Sequence, residues 1–251
     1  MLVKQMIKQI SALAGIAIAA AAITVLPIGE IQVGRVQTPI TYEVQPKALS
    51  LICPGAAMNT GGANGTAVGV FDRIGSAAIS KSSTVGISSS NIGGATLLTA
   101  AGTTEQGSAA LNAGQLQNVA SARLNGLLGA SCQAPGAEHW LLGGDTSTGR
   151  ETLLLLSNPS PVPATVNLEV YAEGGRVQAS GLSGIAVSAG DTQVVPLSSL
   201  IPETRAFAVK VSSRGAAVGA WLQQRTVRGL LYAGADFVSP VTDISTALAI
   251  P

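Results

Sequence analysis

ETLLLLSNPSPVPATVNLEVYAEGGR, residues Glu151 to Arg176, contains strand, turn and strand in one stretch. Thr152 to Leu156 is a short apolar run closed by Ser157-Asn158-Pro159, the pattern of a strand covered on both faces. After the proline-rich link the period becomes two. Val166, Leu168 and Val170 point one way and Thr165, Asn167 and Glu169 the other, so this second strand has a core face and a wet face.

Working outward, HWLLGG before this pair and GIAVSA, TQVVPLS, AFAVKVSS and AAVGAWLQQ after it read as further strands. They are separated by the turn signals Ala189-Gly190-Asp191, Pro202-Glu203-Thr204 and Ser213-Arg214-Gly215. About seven strands in about a hundred residues is the profile of an immunoglobulin-like sandwich. The antibody-type Cys, Trp, Cys spacing is missing, so the likeness is one of architecture. Phe207, Val209 and Val211 alternate with Ala208 and Lys210 as a half-buried strand should.

Upstream, residues 49 to 135 shift to Gly, Ala, Ser, Thr and Asn. The runs SLIC, GTAVGVF, GSAAISK, GATLLTA, QLQNVA and LNGLLGASC predict a small all-β domain with generous loops, a disordered linker being the competing reading. Ser82 to Gly94 and Gly102 to Gly107 are the least bulky and read as loops. The expected fold class is therefore all-β: an N-terminal membrane helix and then two sandwich-like domains, the second Ig-like. Its divisions are anchor and tether at 1–37, a small β-domain at 38–135, the Ig-like sandwich at 136–243, and the start of a further strand at 244–251.

Lys4 and Lys8 precede an uncharged run from Ile10 to Ile28, long enough to span a bilayer, and lysines before it place the rest of the chain outside the cytoplasm. Ala19 to Ala22 could also serve a signal peptidase, which would leave a secreted protein. Charged residues are only 11% of the chain, and 14 Lys and Arg face 13 Asp and Glu. With no basic cluster beyond the N-terminus, nucleic acid is not an expected partner. Membrane is, through the N-terminal segment, and so is envelope protein or polysaccharide.

LICPG at Leu51 to Gly55, SCQAPG at Ser131 to Gly136, GGDTSTGRETLLLLSNPSPVPATVNLEVY and GIAVSAGDTQVVPLSSL together resemble an uncharacterised family of actinobacterial, membrane-anchored extracytoplasmic proteins with Ala/Gly-rich β-domains. The resemblance covers most of the chain after the anchor. It implies an envelope location and β-sandwich modules, and it transfers no catalytic residue. Members of that family continue past the position of Pro251 into another β-domain, which would make this chain a fragment or a short version.

Gly144 to Glu151 has the glycine spacing of a phosphate loop, but Arg150 and Glu151 occupy the places of the Lys and hydroxyl that such a loop needs. It also lies between two strands, so no nucleotide is expected. His139 is the only histidine, which leaves no His-based zinc cluster, and no G-x-S-x-G elbow accompanies it. Scattered acids suggest no glycosidase pair. Asn64-Gly65-Thr66 matches a glycosylation sequon but reads as a turn. Trp221, Tyr171, Tyr232 and Phe237 are either core volume or a surface that stacks on sugars or anchors a partner. No catalytic, cofactor-binding or metal site is expected. The leading expectation is a non-enzymatic scaffold or interaction module of the cell envelope. A carbohydrate-binding or adhesion module comes second, and an envelope enzyme without a recognisable motif third.

Cys53 and Cys132 are the only cysteines. In an exported chain an even count invites pairing, against the alternatives of two free thiols or a metal site. A disulfide would close a loop spanning 79 residues. It would bring the two Cα atoms to roughly 4.4 to 6.8 Å.

Overall fold

The computed structural model describes residues 48–61, 67, 69–102, 110–121, 123–229 and 231–241. The expected anchor and tether at 1–37, the sequon Asn64-Gly65-Thr66, the terminal stretch at 244–251 and most of the Gly102 to Gly107 loop lie outside them. Among the described residues no helix is long and apolar enough to cross a membrane.

The described chain is all-β with antiparallel pairing, and it is built around the leucine run. Strand β10 (Arg150–Ser157) pairs on one side with β14 (Thr192–Pro196) and on the other with β16 (Gly219–Arg228), which pairs in turn with β17 (Leu231–Val238). Leu153 to Leu156 are at most 1% exposed. Successive side chains of a strand leave on opposite faces, so Leu154 and Leu156 enter one core while Leu153 and Leu155 enter another. This central sheet is buried on both faces. Burying one leucine fully is worth about 1.5 to 3 kcal/mol, and here four consecutive positions contribute.

The first core is closed by an outer sheet of β9 (Glu138–Gly144), β11 (Ala164–Ala172), β12 (Gly175–Val177), β13 (Ile185–Val187) and β15 (Phe207–Arg214). The alternation read from the sequence supplies it: Val166, Leu168, Val170, Phe207, Val209 and Val211 are buried against Leu154, Leu156, Ala220 and Leu222. One short helix, α1 (Leu197–Leu200), adds Leu197 to the same core.

The second core lies on the other face of the central sheet. Leu153, Leu155, Val194, Trp221 and Phe237 meet Ile52, Ala57, Met58, Val119, Leu124 and Leu128 there. These last residues come from the N-terminal sheets, one made of β1 (Leu49–Cys53), β6 (Ala95–Ala100) and β5 (Ile87–Ile92), the other of β4 (Ala78–Ser83), β7 (Leu111–Ala120) and β8 (Asn125–Ser131). A hairpin of β2 (Met58–Thr60) and β3 (Phe71–Arg73) completes them. The segments before and after residue 135 therefore share one core, and the described residues make one compact unit.

Polar side chains stitch the seam. Gln115 accepts from the Gly55 amide at 2.9 Å and donates to the Gly55 carbonyl at 2.8 Å, and Gln223 does the same for Met58 at 2.6 and 2.7 Å. Gln117 accepts from the Ala57 amide and donates to the Ile74 carbonyl. Each carboxamide acts as one rung of a ladder, which lets the Gly55–Met58 backbone be buried with its polar groups satisfied.

Cys53 and Cys132 form a disulfide with Cα atoms 4.3 Å apart, just below the expected lower limit. The register explains the short span. Ile52 and Gln133 exchange both backbone hydrogen bonds, so Cys53 and Cys132 are the next, non-hydrogen-bonded pair of an antiparallel ladder, where Cα atoms stand about 4.5 Å apart. With Leu98, Ala100 and Leu111 the two half-cystines form a third, small core between the N-terminal sheets.

Two expectations about local structure are corrected. Ser82 to Gly94 is not a loop throughout, because β5 runs through it as an outer strand paired to β6 from Ile87 to Ile92. Four successive polar residues, Ser88 to Asn91, are exposed, so no hydrophobic period marked the strand. Among the described residues of the run GTAVGVF, only Phe71 lies in a strand, with Gly69 and Val70 forming the approach to it.

Candidate functional site

The side of the outer sheet turned away from the core carries a cluster of aromatic and charged side chains. Trp140 on β9 and Lys210 on β15 are direct cross-strand partners, as are Lys210 and Glu169 of β11. One register step along, Tyr171 faces Ala208 and Ala208 faces Leu142. Alanine between two large neighbours leaves room for rings to meet above it. The Trp140 and Tyr171 rings do meet, with centroids 5.6 Å apart and planes 30° from parallel. Lys210 Nζ stands 5.5 Å from the Trp140 ring centroid, within reach of a cation–π attraction. Leu142, 46% exposed, extends the apolar patch.

Charges rim the patch in pairs. Lys210 Nζ is 2.9 Å from Glu138 Oε2, and the Trp140 indole donates to Glu138 Oε1 at 3.3 Å. The Tyr171 hydroxyl donates to Glu169 Oε2 at 2.5 Å, and Arg176 approaches Glu169 Oε1 at 3.7 Å. The Lys210 hydrogen bond lowers the pKa of Glu138, and Glu138 raises that of Lys210. The Tyr171 hydrogen bond lowers Glu169, and Glu169 raises Tyr171. All four groups are thus held in their ordinary charge states at neutral pH, as fixed contacts rather than as proton donors or acceptors.

The residues singled out from the sequence fall in different places. Trp221 and Phe237 are core, with the Trp221 indole donating to the Ser131 carbonyl at 3.1 Å. Tyr171 is at the surface, and the side chain of Tyr232 lies outside the described residues. His139 is buried, with Nε2 2.7 Å from the Val218 carbonyl oxygen, and among the described residues no serine or carboxylate is a hydrogen-bond partner of it. The Gly144–Glu151 stretch is the β9–β10 turn. Asp145 accepts from the Ser147 amide and hydroxyl, and Gly149 is required at φ +80° where a Cβ would come within 2.8 Å of the Val227 carbonyl. Turn geometry accounts for Gly149, and the Phe207 ring, which would stand 2.0 Å from a Cβ at position 144, accounts for Gly144. Trp140 is the residue of this surface that sequence reasoning misses, and the signal for it is the alternation Glu138, Trp140, Leu142 on the wet side of β9.

An all-antiparallel β protein with a preorganised aromatic surface cluster is the class these observations define. The chain belongs to a family of unknown function, DUF5719, whose pattern matches residues 87–251. No curated protein matches it. A solved structure, the crystal structure of Thermotoga maritima 1070, is similar over 41% of this chain and 93% of its own, at 15% identity and a TM-score of 0.36.

Proposed function

We propose that the protein is a non-enzymatic, extracytoplasmic interaction module of the cell envelope, tethered to the membrane by its N-terminal segment, with an Ig-like sandwich presenting its contact surface. The observation that carries the reading is the Trp140–Tyr171 pair on the solvent side of the outer sheet. Trp, Tyr and Arg dominate binding energy at protein interfaces, and a small apolar centre rimmed by paired charges is how such surfaces are organised. The Cys53–Cys132 disulfide supports an oxidising compartment.

The carbohydrate-binding alternative draws on the same aromatics, since flat rings stack on sugars. The geometry favours protein. The two rings face each other rather than lying side by side as a platform, and Lys210 occupies a further approach to Trp140. The test is affinity capture by the full chain from envelope extract, with protein and polysaccharide fractions analysed separately and a W140A/Y171A double variant as control. Specific protein capture that the double variant loses, with an unchanged circular dichroism spectrum, is the expected result. Retention of only polysaccharide by the wild type would replace this reading with the alternative, and equal capture by both chains would remove the surface from consideration.

A further inference from the structure

Arg73 at the end of β3 is half-buried and forms no ion pair among the described residues. Its Nη1 donates to the carbonyls of Pro54 and Ala56 at 2.9 and 2.8 Å, and its Nη2 to the carbonyl of Gly93 at 3.1 Å. A guanidinium has five N–H donors. These bonds use three, leaving the Nε proton and one Nη2 proton without an acceptor among the described residues. Those two protons form one side of the fork that binds a carboxylate bidentately.

The head group is held in a cradle that only glycine permits. Gly55 and Gly94 sit at φ +80° and +86°, and a Cβ on Gly94 would fall 2.0 Å from Nε while one on Gly55 would fall 2.8 Å from Nη1. Desolvation with no anion beside it draws the arginine pKa down to about 10. A buried cation fixed by neutral carbonyls alone keeps most of its charge available to a ligand. Asp191 and Asp72 are nearby acids, but Asp191 Oδ1 accepts from the Thr192 amide at 2.7 Å and neither pairs with Arg73.

Arg73 lines a groove whose other walls include Met58, Val70, Phe71, Thr192 and Val194. Thr192 and Val194 belong to β14, the outer strand of the central sheet, and Val70 is 43% exposed. Gly69, Gly93 and Gln193 complete the lining, so the groove presents polar groups beside a short apolar stretch, with one cation in its wall. We propose that this groove binds a carboxylate carried on a short apolar group, such as the C-terminal residue of a peptide. Arg73 would take the carboxylate, and Val70 and Phe71 the apolar part, over a floor formed by the buried Met58 and Val194.

The test uses the full chain labelled with 15N-arginine and three probes: an acetylated Ala-Ala-Val peptide with a free C-terminus, the same peptide as its C-terminal amide, and isovalerate. Saturable movement of the Arg73 Nε–H resonance with the free-acid peptide, and none with the amide, is the expected result. Isovalerate binding as tightly as the peptide would assign the site to small carboxylic acids; weaker binding would assign it to peptide ends. Arg73→Ala removes three loop bonds and is prone to misfold, so the control is Val70→Asp. That exposed position would place a competing carboxylate at the groove, and about tenfold or greater weakening is expected. Failure of both acids to move the resonance, equal movement with the amide, or unaltered binding to Val70→Asp would each overturn the proposal. None of these outcomes bears on the Trp140 surface, which lies on a different sheet.

Discussion

Gln115, Gln117 and Gln223 are glutamines in places where a β protein of this composition would be expected to use valine. Their positions make sense only against the segment they hold. Replacing Gln223 by leucine would keep the bulk but strand the Met58 amide and carbonyl in a site 1% exposed. Each stranded group costs about 1 to 3 kcal/mol, so a loss on the order of 3 kcal/mol is expected, read as a lower urea midpoint with an unchanged slope. His139 supplies a pH dependence. Burial lowers its pKa below 6.5, with the carbonyls of Val218 and Gly136 acting the other way. The folded chain thus takes up this proton at lower pH than the unfolded chain does. The stability owed to neutral His139 is complete above about pH 6.5 and declines as the pH falls from there through the folded-state value. Urea midpoints measured at pH 8 and pH 5 should differ in that direction, and His139→Gln should reduce the difference. Neither role was legible beforehand, because glutamine and histidine carry no period that tells buried from exposed.

Among the elements, β10 was readable and β5 was not. A run of four leucines between turn residues has one economical explanation, two apolar faces, and the central sheet has both. Leu155→Ala and Leu154→Ala probe the two cores separately. Each is expected to cost about 2 to 5 kcal/mol by chemical denaturation, because a cavity is left in addition to the lost burial. On β5, Ser88 to Asn91 is held by backbone bonds to β6 rather than by an apolar face, so hydrophobic patterning could not detect it. The candidate surface on β9 and β11 belongs to this scale as well. Alternation marked which residues of β11 are wet, but only the pairing order β11–β15–β9 puts Tyr171 within ring contact of Trp140, with Ala208 between them.

For the molecule as a whole, the disulfide fastens the end of β1 to the residue after β8, where the small third core offers little apolar area. Replacing both cysteines by alanine should remove about 2 to 4 kcal/mol, measured as a shift in the thermal or urea midpoint; closing a 79-residue loop sets the upper part of that range. An unchanged midpoint would mean that the sheets hold this junction unaided. What the sequence determined by itself were the properties carried by local chemistry: the all-β class from two-residue alternation and turn residues, the doubly covered leucine strand, and a pair of cysteines suited to cross-linking. What only the tertiary structure decided were the relations between distant segments: one core shared across residue 135, the direct cross-strand register that sets the Cys53–Cys132 span, and the meeting of Trp140, Tyr171 and Lys210. Those depend on strand order, and strand order is settled by which apolar faces can be buried together rather than by any residue's immediate neighbours.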